Sequence, residues 1–421
     1  MPRARILPNG VSFIMERRPK EPTVTFVIGI AYGAGDEPLN WSGALHLLEH
    51  LFVMRHPQRV DLMQWLDRIG ADLNAGVSED MTMFYLTVPT RYARVGLERL
   101  TQLVLVPSFT PAEVEQERGR VLEELSADHD DHEQQLLILT NRQVSNGHAL
   151  GRPIIGRVSS LRRLTHQRIM KYWRRLLDPR RIVITAVGNF HRDRLVELIK
   201  QTFGQLTVPT SVLPTRQRTA PEQRFQRLIL RRHDLRQVQF FWTLMLPGYH
   251  TRHRLPLQLL ANTLGGRESS PLWLKATEQV YELGTYTWHF TEYGYLQIKS
   301  KMQRAGFLEI LQLIRDHVRQ YHDRGISRSE FLLAQRFAIN TVTANFRDCG
   351  HAARSYTAQY LAHQQLLAPR QIIRRLRRVS RADVNLAARR YLRWSKSYLA
   401  VIGPLTRSDR QKIRRFFSQG V

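Results

Sequence analysis

The sequence predicts an α+β fold built twice over, two homologous α/β sandwich domains that each pack helices on a largely antiparallel sheet. Three observations carry this expectation. The chain has 421 residues, more than one hydrophobic core normally organises. Strand-like runs with alternating apolar residues are separated by long stretches with apolar residues at helical spacing, the pattern of helices covering a sheet. The two halves also repeat. Residues 183–188, a polar turn and a helix to Phe203 recur as residues 399–403, a polar turn and a helix to Phe417, the closing Gly188 and Gly403 lying 215 positions apart. The strand 26–32 with Gly33 recurs on the same offset of 215 as 240–246 with Gly248, as two copies of one ancestral unit would. The first domain is expected over 1–207, a linker over 208–222 and the second domain over 223–421.

In the first domain the apolar run 24–32 reads as a strand closed by Gly33-Ala-Gly35, and Asn40-Trp-Ser-Gly43 leads into a helix. That helix carries His46-Leu-Leu-Glu49-His50. At about 100° per residue the three polar side chains fall within roughly a 100° arc of one helix face. Both imidazoles can reach one zinc ion, with Glu49 beside it and close enough to take a proton from a metal-bound water. The order is the inverse of the commoner His-Glu-x-x-His zinc pattern.

A catalytic zinc site keeps three protein ligands and one open position, so a downstream carboxylate must complete the set. The stretch 113–125 reads as a helix with Pro111 near its start and Val114, Val121, Leu122 and Leu125 on its apolar face. Glu117 and Glu124 sit seven apart on that helix, two turns along one face. Beside a metal, one of them can ligate while the other orients the site from behind. Asp128-His-Asp-Asp-His-Glu133 offers similar residue types but reads as a solvated polar face or turn.

Between the halves, residues 207–221 hold Pro209, Pro214 and Pro221 among polar residues, which interrupts both strand and helix patterns. In the second domain His46, Glu49 and His50 correspond to Ala261, Leu264 and Gly265, so this copy cannot bind the metal. Its counterpart helix, 255–264, is apolar at helical spacing and reads as core.

These residues resemble the pitrilysin and mitochondrial processing peptidase family, the inverzincins, in which His-x-x-Glu-His is followed some seventy residues later by a ligand glutamate on a helix. Glu124 matches that ligand and Glu117 the family's partner one heptad earlier. Arg5-Ile-Leu-Pro-Asn-Gly10 resembles the family's opening strand, Asn74-Ala-Gly-Val-Ser-Glu79 its substrate-side edge strand, and His148-Ala-Leu-Gly-Arg-Pro-Ile-Ile-Gly156 its small-residue loop. The resemblance covers nearly the whole chain. It implies an active and a degenerate domain forming a clamshell around a closed chamber. A substrate peptide would enter as an extended strand and pair near Asn74 and Ala75, a mode of recognition with limited regard to sequence.

The resemblance also implies a mechanism. Zinc brings the pKa of its water toward about 7 and polarises the peptide carbonyl, while Glu49 takes the water proton and delivers it to the leaving amine. The oxyanion needs a further donor, which the family draws from an Arg and a Tyr seven residues apart in the second domain. Here Tyr286 can stand for the tyrosine, but Gln279 occupies the position seven before it, and no arginine lies between Trp273 and Thr291. Either Lys275 serves through a local insertion or a partner subunit supplies the pair. A homodimer, or a heterodimer with a related subunit that carries the Arg and Tyr, is therefore expected.

The formal net charge is +27, most of it arginine and dense in the second half, over 370–393 and 407–415. A basic surface concentrates acidic partners. The arginines are scattered along helices such as Ile372-Ile-Arg-Arg-Leu-Arg-Arg-Val379 rather than interleaved with exposed aromatics, so nucleic acid is not the expected partner. If they line the chamber, the substrate is acidic. Cys349 is the single cysteine, which excludes an intramolecular disulfide and argues against a thiolate zinc site. No run of about 18 apolar residues suggests a membrane span. Residues 1–10 begin the domain directly, so a bacterial-type cytoplasm is expected.

The sequence thus points to a zinc metalloendopeptidase for peptides or small unfolded proteins. The alternative is a catalytically weak or partner-dependent subunit, a peptide-binding scaffold of a heterodimeric peptidase.

Overall fold

A computed structural model describes residues 2–53, 60–211, 213–216, 219–222 and 227–418, without the side chains of Val60, His129, Ser395, Phe417 and Ser418. Of the expected linker 208–222, residues 212, 217 and 218 therefore lie outside the described residues.

The first sheet comprises β1 (Ala4–Ile6), β2 (Ser12–Arg17), β3 (Thr23–Ile30), β4 (Asp72–Val77), β5 (Thr82–Pro89) and β6 (Ile182–Gly188), in the order β1-β2-β6-β3-β5-β4. The second comprises β7 (Arg227–Arg231), β8 (Gln237–Pro247), β9 (Val280–His289), β10 (Tyr293–Gln303) and β11 (Ser397–Gly403), in the order β7-β11-β8-β10-β9. Apart from β1 the two orders superpose strand for strand. Each sheet has one parallel pair, β2 with β6 and β7 with β11, and all other neighbours are antiparallel. The offset repeat in the sequence is this repeated topology. Gly188 and Gly403 close the equivalent strands β6 and β11.

In the first unit Val24, Phe26, Ile28 and Ile30 of β3 enter a core with Leu47, Leu48 and Phe52 of helix Ala44–Val53, Leu97 of helix Ala93–Leu105 and Trp173 of helix His166–Leu176. Phe52 lies 4.7 Å from the rings of both Phe84 and Trp173 and 5.1 Å from that of Phe109. Yet β3 is buried on nearly every residue, not on alternate ones, so its other face also needs cover. That cover is helix Cys349–His363, packed on β3 and β6. Thr357 of this helix donates to Thr185 of β6 at 2.7 Å, and Tyr360 shares a 2.9 Å hydrogen bond with Ser12 of β2.

The second unit repeats the device. Phe240, Trp242 and Leu244 of β8 join Leu257, Leu260, Ile310 and Ile314 of the helices on one face. Phe241, Ala400 and Ile402 on the other face meet Leu136 of helix His132–Ser145. The compact units are accordingly discontinuous in sequence. One holds residues 1–127, 152–217 and 343–370, the other 128–151, 218–342 and 371–421. Each takes in one helical segment from the opposite half of the chain.

Candidate metal centre

Helix Ala44–Val53 starts where Gly43 adopts φ +92°, a conformation that disfavours a side chain, and where an added Cβ would meet the Ile155 carbonyl oxygen at 2.6 Å. Its amino end is held by Glu37. One Glu37 carboxyl oxygen accepts from Gly43 N at 2.8 Å and the other from Leu45 N at 2.7 Å, which satisfies donors that the helix cannot pair internally. Burial pushes the fully enclosed Glu37 carboxyl up to about 8, against the opposing pull of the Leu45, Gly43 and Ala44 backbone N–H groups. Leu47, Leu48, Leu51 and Phe52 face the core, which leaves His46, Glu49 and His50 together on the opposite, half-buried side. The two imidazole rings stand 4.7 Å apart.

The second component is helix Pro111–Asp130. Its first turn is closed by a reciprocal cap: Thr110 N donates to Glu113 at 2.7 Å, and Glu113 N donates to Thr110 Oγ1 at 3.2 Å. Val114, Val121 and Leu125 are buried, with Leu122 partly buried against the same core. This docking sets Glu117 and Glu124 against the histidines. Glu124 Oε2 lies 3.3 Å from His46 Nε2 and 3.3 Å from His50 Nε2. Glu117, whose side chain is 0 % exposed, places Oε2 3.5 Å from His50 Nδ1, and its Oε1 accepts from Arg120 Nη1 at 2.6 Å. Glu49 Oε2 stands 3.6 Å from His46 Nδ1. Burial would lower the pKa of His46, but the acceptors Glu49 and Glu124 outweigh it and the net direction is up.

This donor set fits zinc. Four ligands at about 2.0–2.1 Å in a tetrahedron lie roughly 3.3–3.4 Å from one another, and both imidazole-to-carboxylate separations are 3.3 Å. Two imidazoles and one carboxylate also match a zinc site that keeps a position open. Among the described residues, His46, His50 and Glu124 form the one group of three or more His, Cys, Asp or Glu side chains close enough to hold a metal ion.

The structure therefore brings together His46, Glu49, His50, Glu117 and Glu124. Asn74 and Ala75 lie in the same unit on β4, which among the described residues pairs only with β5 and ends the sheet. Asn74 is exposed, Ala75 is buried, and Ala75 N donates to Asn74 Oδ1 at 2.8 Å. Tyr286 belongs to the other unit, on its own edge strand β9, where it is 45 % exposed and its ring lies 5.5 Å from that of Trp288. Gln279 immediately precedes β9, and Lys275 is exposed on helix Pro271–Ala276.

The acidic and histidine run at 128–133 has other work. Asp131 caps helix His132–Ser145, Glu133 pairs with Lys299, and His132 lies 3.8 Å from Asp234; the His129 side chain lies outside those described. Cys349 is a buried free cysteine. No described helix is long and apolar enough to cross a membrane. Sequence reasoning missed Glu37 and Arg120. An acidic residue shortly before a helix start and an arginine one turn after Glu117 are the signals that would have found them.

Residues 12–157 match the family model described as insulinase (peptidase family M16), and residues 163–337 match that of the peptidase M16 inactive domain. The chain is 27 % identical over 410 residues to an uncharacterized zinc protease of Mycobacterium tuberculosis, which covers 96 % of this chain and 93 % of the relative. It is 27 % identical over 207 residues to the beta subunit of the mitochondrial-processing peptidase of Bos taurus, covering 48 % of this chain and 42 % of that protein. The fold matches the crystal structure of a protease from Helicobacter pylori with a TM-score of 0.87 at 17 % identity, over 96 % of this chain and 99 % of the other.

Proposed function

The chain belongs to the insulinase family of zinc peptidases, peptidase family M16, and from that premise we propose that it is a zinc metalloendopeptidase acting on peptides or small unfolded proteins within an enclosed chamber. One observation carries the reading: His46 and His50 converge through Nε2 on a single Glu124 oxygen, with Glu49 beside them.

His46, His50 and Glu124 would hold the zinc, and when bound the ion supplies Lewis acidity toward a peptide carbonyl and acidifies water. Glu49 is the proton carrier. Its carboxylate is not needed as a ligand and is free to accept a proton from the attacking water and pass it to the departing amine nitrogen. Glu117 Oε2 lies 3.5 Å from His50 Nδ1, a carboxylate placed to favour a proton on Nδ1 and so the tautomer that leaves the Nε2 lone pair for the metal. Arg120 compensates the charge of this buried carboxylate.

The edge strand β4 at Asn74 and Ala75 would pair with an extended peptide, which would take the place of Asn74 Oδ1 as acceptor for Ala75 N, and such pairing is indifferent to most side chains. Tyr286, on β9, is the residue of this chain that matches the family's oxyanion tyrosine. The net charge of +27 favours acidic peptides, and a cytoplasmic setting is the expectation carried from the sequence. Removing zinc with a chelator abolishes cleavage of an unfolded peptide pool, and adding zinc back restores it. Cleavage that survives complete metal removal overturns the reading.

A second reading rests on Gln279 where the family pattern has arginine, and on the inactive-domain model matched by residues 163–337. In it, this chain contributes the metal site and a related subunit contributes the Arg and Tyr. Zinc binding without cleavage, followed by cleavage on addition of that subunit, distinguishes the two.

A further inference from the structure

We propose that Arg216 is a positioning residue for cleavage, holding the edge strand β4 in register with the histidine helix. The inference rests on the peptidase reading above. Arg216 comes from the segment expected to be a linker, yet its side chain is 3 % exposed. Its backbone N donates to Asp36 Oδ1 at 3.2 Å and its Nη1 lies 3.0 Å from the same oxygen, while Nη2 donates to Asp80 Oδ1. The segment is anchored beside it by Leu213, 3 % exposed in the core of the first unit, whose carbonyl accepts from Arg181 at 3.3 Å.

The two aspartates belong to the two parts that a cleavage site must align. Asp36 immediately precedes Glu37, whose carboxyl holds the amino end of the helix bearing His46, Glu49 and His50. Asp80 lies in the turn that follows β4, closed by Ser78 N donating to Met81 O at 2.9 Å. The backbones of these turns also touch: Ala34 N donates to Ser78 O at 2.9 Å and Gly35 N to Glu79 O at 3.0 Å. Burial pushes the neighbouring Glu79 carboxyl up, with Asp80 adding to the rise and Arg216 opposing it.

A lysine would keep the charge, but its single ammonium lacks the planar fork that reaches both carboxylates at once. A buried ion network of this kind is weak evidence for stability and better evidence for a fixed arrangement, because desolvation offsets much of the attraction. A peptide paired on β4 would be displaced relative to Glu49 if this brace were lost, and a shift of about 1 Å at a reacting bond costs on the order of 100-fold in rate.

The test uses the full chain carrying Arg216→Lys, with Arg216→Gln as a second variant, loaded with zinc and given a defined unfolded peptide. The expected result is kcat lower by about 10- to 100-fold, with KM changed far less, zinc content unchanged and a new distribution of cut bonds by mass spectrometry. Arg216→Lys that keeps the normal kcat and product pattern overturns the inference. So does a loss of activity that merely tracks lost zinc or lost folded protein in both variants, which makes Arg216 a structural staple. A normal chain that binds zinc but cuts nothing, even with a related subunit, overturns the peptidase reading and this inference with it. A normal chain that cuts, beside an unaffected variant, overturns the inference alone.

Discussion

Glu37→Gln tests how the histidine helix is held, through the pH dependence of stability. The folded-state pKa of Glu37 is about 8 against an ordinary 4.5. Between these values the unfolded chain is ionised at this position while the folded chain retains the proton. Stability is therefore fully present below about 4.5 and falls as pH rises toward 8, by about 1.4 kcal/mol per pH unit. From pH 5.5 to 8 the loss is on the order of 3 kcal/mol, or roughly 6–12 °C in melting temperature for a unit of this size. The raised pKa of His46 adds a loss of the same sign, since its contribution is present below the ordinary histidine value and disappears as pH passes the raised one. Glutamine removes the titratable group and with it only the Glu37 part of the pH dependence, while its NH2, unable to accept from Gly43 N or Leu45 N, lowers stability by an amount independent of pH. Thermal unfolding of both proteins in metal-free buffer reads the difference: the variant's stability falls less steeply with pH, so the difference between the two proteins shifts toward the variant as pH rises. Parallel curves would refute the reasoning and mean that the Gly43 and Leu45 N–H groups keep Glu37 ionised throughout.

Glu117→Gln retains the shape of the side chain but weakens the acceptor behind His50, so zinc affinity by competition with a chelator falls about 10- to 100-fold. Gly33→Ala would place a Cβ 2.5 Å from the backbone carbonyl of Glu79, and backbone atoms yield poorly. Denaturant unfolding is expected to show a loss of about 1–3 kcal/mol. Tyr286→Phe leaves zinc content unchanged and lowers kcat about 10- to 1000-fold if its hydroxyl serves the oxyanion. An unchanged kcat removes Tyr286 from the site.

Much of the fold was legible because its signals are local or periodic. The alternation in β5, the helical spacing of Leu47, Leu48, Leu51 and Phe52, and the offset pairing β6 with β11 all survive in a single sequence. The meeting of His46 and His50 followed from one helical turn, and the choice of Glu117 and Glu124 from a heptad on the next acidic helix. The exchange of helices was not legible, because continuous burial of β3 and β8 says that a second face is covered but not by which segment. Nor were the contacts of Arg216, 180 residues from Asp36 and 136 from Asp80. No periodicity joins residues so far apart, and arginine in a proline-rich polar stretch reads as solvated until the fold buries it.

The proposed peptidase rests on one zinc ion held by His46, His50 and Glu124, with Glu49 as the base. Metal analysis of the purified chain and of Glu49→Gln, each assayed on a pool of unfolded peptides with and without a related subunit, tests it directly. Close to one zinc per chain is expected in both proteins, with cleavage present in the first and abolished in the second. Absence of zinc from the unaltered chain, or undiminished cleavage by Glu49→Gln, would contradict it.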